Sequence, residues 1–101
     1  MSRQPFPAHG PLVLAPMAGV TDLAFRTICA RLGASVTVTE MVSSRALVYQ
    51  DRKSVTLLKR TPGDGLCGAQ IFGNDPAIMA QAAQLVLTHG EFDFIDINMG
   101  C

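Results

Sequence analysis

Charge is scarce in this 101-residue chain: 16% of its residues are charged, and eight acidic side chains balance eight basic ones. Hydrophobic residues make up 49%. That balance excludes a disordered tail or a charged linker, which combines low hydrophobicity with high net charge. It also leaves no basic stripe of the kind that marks a nucleic-acid surface, so most basic surface for any RNA must lie elsewhere. Long apolar runs are missing too. Leu12-Val13-Leu14-Ala15 stops at Pro16, and no stretch nears the ~20 residues that span a bilayer. The N-terminus, with Arg3 as its one nearby side-chain charge, lacks the layout of a secretory signal. The three cysteines, Cys29, Cys67 and Cys101, are widely spaced and form no Cys-x-x-Cys or Cys/His cluster. No metal site is expected from them, and a reduced, cytoplasmic protein with free thiols fits best.

What is present alternates. Residues 1–10 carry two prolines and a glycine and read as an irregular lead-in. Leu12 to Ala15 is a first candidate strand. Thr21 or Asp22 can cap a helix, because a side-chain oxygen there accepts an orphan backbone N–H. Phe25, Ile28, Cys29 and Leu32 then share one helical face, and Gly33 suits the helix end. Ser35 to Thr39 is rich in β-branched residues and predicts a second strand. Ser43 to Arg60 reads as one or two helical pieces, and residues 61–65 (TPGDG) as a turn. Leu66 to Phe72 predicts a third strand. Asn74-Asp75-Pro76 starts a helix whose apolar stripe is Met79, Ala82, Ala83 and Val86, and Gly90 closes it. Phe92 to Ile97 predicts a fourth strand.

The order β-α-β-α-β-α-β argues for an α/β fold with a parallel sheet. No Gly-x-Gly-x-x-Gly follows the first strand, which disfavours a dinucleotide-binding start. Four strands and three helices are half of a (β/α)8 TIM barrel, which takes ~250 residues. The sequence stops directly after a strand, so an N-terminal half truncated at its C-terminus is the expectation.

Chemistry-bearing residues recur just after, or late in, each predicted strand: Pro16-Met17-Ala18-Gly19, Glu40-Met41, Gln70, and Asn98-Met99-Gly100-Cys101. In a parallel barrel all of these ends open onto one face, where barrel enzymes place their active sites. The steps from Pro16 to Glu40 to Gln70 to Asn98 are 24, 30 and 28 residues, each the length of one βα unit.

Four of these pieces, LAPMAGVTDLAFR (14–26), TEM (39–41), QIFG (70–73) and DINMGC (96–101), occur in an order and spacing that resembles the tRNA-dihydrouridine synthase family, in its bacterial B-type form. The resemblance implies a TIM-barrel flavoprotein with flavin mononucleotide (FMN) and a C-terminal helical domain, absent here, that helps bind tRNA. It implies reduction of tRNA uridine to 5,6-dihydrouridine with NADPH or NADH as reductant. By the same resemblance Pro16, Met17 and Ala18 lie against the flavin, and Gln70 contacts it with an amide that both donates and accepts. Asn98 stands near the target uracil. Cys101 is the catalytic acid: hydride goes from flavin to C6, and the thiol protonates C5. A thiol of ordinary pKa, ~8.5, is mostly protonated at pH 7 and can donate.

Plainer readings stand beside these. Pro16 to Gly19 alone would be a strand-ending turn, and Gln70 alone a strand-end amide. Glu40 is as much a structural carboxylate as a contact to ligand. Cys29 and Cys67 read as inert core thiols. Arg45, Arg52, Lys53, Lys59 and Arg60 read as a solvated helix face sooner than an RNA contact. Two alternative functions remain at this point: another FMN-dependent TIM-barrel oxidoreductase, or an inactive truncated fragment.

Overall fold

The computed structural model describes residues 12–100; the lead-in 1–10 with its His9, and Cys101, lie outside the described residues. Local end signals place the longest helix. Asp75 Oδ1 accepts from the N–H groups of Ala77 and Ile78 at 2.9 and 3.3 Å, and Pro76 occupies the first position. Gly90 takes the left-handed conformation at φ 75° that glycine adopts without strain, so α4 runs Pro76–His89. Helix α1 (Leu23–Arg31) is capped by Asp22, whose carboxylate accepts from Phe25 N–H at 2.8 Å. The mixed segment resolves into two short helices, α2 (Ser44–Val48) and α3 (Arg52–Thr56), capped by Ser43 and Asp51.

All strand pairs are parallel. The third predicted strand, β3 (Leu66–Phe72), is central. On one side it pairs with β4 (Phe94–Asn98) over Gly68↔Phe94 to Phe72↔Asn98. On the other side it pairs with β1 (Val36–Val38) and then β2 (Val42–Ser43). Leu12–Ala15 is not a full strand. It contributes a single bridge, Val13 to Val36, with Leu14 N–H donating to Val36 O at 2.9 Å. It lies at the outer edge of the sheet and ends at Pro16, which has no N–H to extend a ladder.

Segments β1 and β2 are one strand interrupted by a bulge. Val38 pairs with Gly68 and Val42 with Ile71, so residues 39–41 stand opposite only residues 69–70. Thr39 repairs the break. Its N–H donates to Gly68 O, and its Oγ1 accepts from Gln70 N–H, both at 3.0 Å. A one-residue slip turns the following side chains to the other face. Val38 shares the face of Gly68, whereas Val42 joins Ala69 and Ile71 in the core.

That core lies on one face only. Val42, Leu47, Leu58, Ala69, Ile71, Ala82 and Val86 form it, with α2 and α4 packed over β3. Helix α1 lies on the same face: buried Arg26 reaches Thr61 Oγ1 at 2.8 Å, which bonds Thr37, the register partner of Cys67. In spatial order the strands follow the chain, and the described helices cover one side. A doubly wound sheet reverses strand order and places helices on both faces. A (β/α)8 barrel begins as observed here, and the expected α/β half-barrel stands.

The apolar face expected to bury α1 does not do so among the described residues. Phe25, Ile28 and Leu32 are 39%, 55% and 81% exposed, and Cys29 is half-buried. Helix α1 sits beside the edge of the sheet, and a polar side chain, Arg26, holds it down.

Candidate functional site

The face opposite the helices carries Gly68, Gln70 and Phe72 of β3, and in register with them Phe94, Asp96 and Asn98 of β4. Gly68 is required by close approach: a Cβ there would run into the Phe94 ring. Further along, Gln70 is 8% exposed and donates from Nε2 to Asp96 Oδ2 at 2.6 Å. Asn98 Nδ2 approaches Met41 Sδ at 3.5 Å, and its Oδ1 accepts from Gly100 N–H at 2.9 Å. Asn98 also lines a cleft of about 520 Å³ with Met41, Phe72, Ile78, Met99 and Arg45.

The turn after Ala15 is fixed twice. Thr21 Oγ1 accepts from Met17 N–H at 3.0 Å, and the N–H groups of Val20 and Thr21 both donate to Met17 O at 2.9 Å. Arg26 Nε then donates to Thr21 O at 3.1 Å. Separately, Glu40 Oε1 accepts from Gly19 N–H at 2.6 Å. The bulge at residues 39–41 is what brings Glu40 to that turn. Met17 and Ala18 remain exposed, and Pro16 is half-buried.

Of the residues singled out in the sequence, Pro16, Met17, Ala18, Gln70 and Asn98 all occupy the carboxyl-end side of the sheet. Cys101 follows Gly100 outside the described residues. Bonds between adjacent segments join Gly19 to Glu40 and Gln70 to Asp96 at this rim, and the contact of Met41 with Asn98 reaches across β3. Among the described residues no hydrogen bond runs directly from the Pro16–Ala18 turn to Gln70 or Asn98; the sheet relates them.

Sequence reasoning missed three features. Asp96 was part of DINMGC but had no assigned role. Its signal was the alternation in β4, which puts residues 94, 96 and 98 on one face. Cys67 reads as an apolar core thiol, yet it is buried beside Arg26 Nη1 at 3.9 Å and Thr61 N at 3.5 Å. Arg60, grouped with the basic residues facing solvent, pairs with Asp93 at 2.8 Å and donates to Gly65 O and Glu91 O. Burial would raise the Asp93 carboxyl, but the Cys67 N–H and Arg60 outweigh it and hold it below the ordinary carboxylate value.

Among the described residues no cluster of His, Cys, Asp and Glu could hold a metal ion, and no helix is long and apolar enough to cross a membrane.

A family model described as dihydrouridine synthase (Dus) matches residues 13–101. The chain is 46% identical over 101 residues to tRNA-dihydrouridine synthase B of Shewanella oneidensis, covering 100% of this chain and 31% of that protein. It is 47% identical over 97 residues to the Pseudomonas aeruginosa protein of the same name, covering 96% and 29%. With the Escherichia coli one it is 46% identical over 90 residues, covering 89% and 28%. It therefore spans about three-tenths of the length of these relatives.

Proposed function

Because this chain belongs to the dihydrouridine synthase family, we propose that the full-length protein reduces uridine in tRNA to 5,6-dihydrouridine as an FMN-dependent, cytoplasmic enzyme using NADPH or NADH. Residues 1–101 supply the first part of its FMN-binding TIM-barrel catalytic domain, and a C-terminal helical domain supplies most of the tRNA contact. The observation that supports the reading is that Pro16–Ala18 follow the segment bridged to β1, while Gln70 and Asn98 lie on one face of the paired β3 and β4, all toward the carboxyl ends of parallel strands.

The residues present suit a flat, uncharged ring system with imide edges. The Pro16–Gly19 turn bears no charge and is tied by hydrogen bonds to Thr21 and Glu40. Gln70 offers a fixed primary amide, able to donate and accept. We assign Pro16, Met17, Ala18 and Gln70 to holding the flavin. When bound, FMN supplies the hydride that adds to C6 of uracil. The protein's own share is position and a proton. Asn98 orients the imide edge of the base, which leaves the RNA stack to reach it. Cys101, three residues on, delivers its thiol proton to C5 from the opposite face, and solvent restores that proton. Hydride and proton together saturate the C5–C6 double bond.

The test uses the purified full-length protein. It should carry a flavin absorption spectrum and convert uridine to dihydrouridine in an unmodified tRNA transcript when NADPH or NADH is supplied. Reduction of a free pyrimidine or an enone with no action on tRNA would overturn the tRNA reading and favour another FMN barrel.

A further inference from the structure

We infer that Asp96 is a positioning residue that fixes which way the Gln70 amide faces the flavin. This rests on the assignment of Gln70 to the flavin made above. Gln70 and Asp96 are register partners on adjacent parallel strands, so their side chains emerge side by side on the same face. They meet at 2.6 Å, between Gln70 Nε2 and Asp96 Oδ2. An ionised carboxylate can only accept, so it selects the NH₂ end of the amide and rejects the oxygen. Without that partner the two orientations of a glutamine amide have nearly the same shape. With it, the amide oxygen is turned away from β4, and one N–H is committed.

The backbone beneath the pair is held as well. Gln70 N–H donates to Thr39 Oγ1 at 3.0 Å, the bond that bridges the bulge between β1 and β2. Gln70 is therefore fixed at its backbone by one neighbouring strand and at its amide by the other. A charge-assisted bond of this kind is short and strong enough to set one orientation. Its consequence is a defined pattern toward a ring edge: one acceptor oxygen and one remaining N–H, in known places.

The experiment is a double-mutant cycle in the full-length protein: wild type, Asp96→Asn, Gln70→Ala and the pair. Asparagine keeps the shape of aspartate but can offer a donor, so it no longer selects one face of the amide. The readouts are FMN dissociation constant and the flavin absorption spectrum. Asp96→Asn should weaken FMN binding about tenfold, the scale of one hydrogen bond, and shift the flavin bands. In the Gln70→Ala background the same change should do nothing further. Asp96→Ser, which shortens the side chain out of reach, is the second variant, and either folded variant decides the matter. Parental FMN affinity and spectrum in the variant would overturn the inference, as would losses that multiply independently. Wild-type protein that takes up no flavin would instead overturn the functional reading beneath it, and the inference with it.

Discussion

Helix α4 buries Ala82 and Val86 over Ala69 and Ile71 of β3, whereas α1 buries the guanidinium of Arg26 and leaves Phe25, Ile28 and Leu32 exposed. The first attachment is apolar and broad. The second is a set of directed bonds to Thr21 O, Lys59 O and Thr61 Oγ1. The contrast matters because α1 follows the Pro16–Gly19 turn. Nondirectional burial holds α4 in place, but directed bonds also fix the backbone at Thr21, and through Thr21 the turn at Met17.

Substitutions can break that contrast. The largest stability effect is expected at Ile71, where alanine removes a fully buried side chain and should cost about 2–5 kcal/mol in urea unfolding. The matching change Ile28→Ala on α1 should stay within about 0.5 kcal/mol in this chain, as exposed sites do. A large loss at Ile28 would mean that the face is covered after all. Next comes Arg26→Leu, which removes the guanidinium donor from Thr21 O, from Thr61 Oγ1, which keeps its bond from Thr37, and from the part-buried Lys59 O. It should cost about 3 kcal/mol, with Arg26→Lys a poor rescue because a point charge cannot reproduce the planar fork. If leucine were tolerated, apolar packing would hold both helices and the distinction would disappear.

Local signals in the sequence carry over to the structure where they are self-contained. Asp75, Pro76 and Gly90 mark both ends of α4 within one turn each, and both ends lie where they indicate. The β1–β2 bulge has no such signal. It arises from register against β3, a partner 30 residues away, whereas the sequence ends the second strand at Thr39 and puts Glu40-Met41 beyond it. The same holds for the site. Pro16–Ala18, Gln70 and Asn98 are visible as strand-end residues of the right type, but the bonds that fix them join different strands. Neither Glu40 to Gly19 nor Gln70 to Asp96 can be read from spacing, because each depends on which strands become neighbours. On α1, periodicity correctly announced a helix but pointed to its apolar face, whereas buried Arg26 fastens it.

Gly68→Ala sharpens the comparison on the other face of the sheet. The added methyl meets the Phe94 ring, and overpacking of that kind costs about 1–3 kcal/mol; Phe94→Leu in the same chain should recover part of it. The smallest effect is expected at Asp93. Its carboxyl sits below the ordinary value in the folded state, so its contribution is complete above that ordinary value and lost as pH falls through the lowered one. With a side chain 35% exposed, the effect is modest. Asp93→Asn should flatten the acid limb of the stability profile slightly, and leave it unchanged near neutrality only if the Arg60 pair contributes nothing.

The most direct test of the central claim is the rate of dihydrouridine formation by the full-length protein carrying Cys101→Ala, measured in a single turnover with FMN already reduced. If Cys101 is the general acid, as proposed, its removal should slow uridine reduction by about 10²–10⁴-fold, while flavin content and NADPH oxidation stay near those of the parent. Dihydrouridine formed at the parental rate would contradict the assignment of the proton to Cys101.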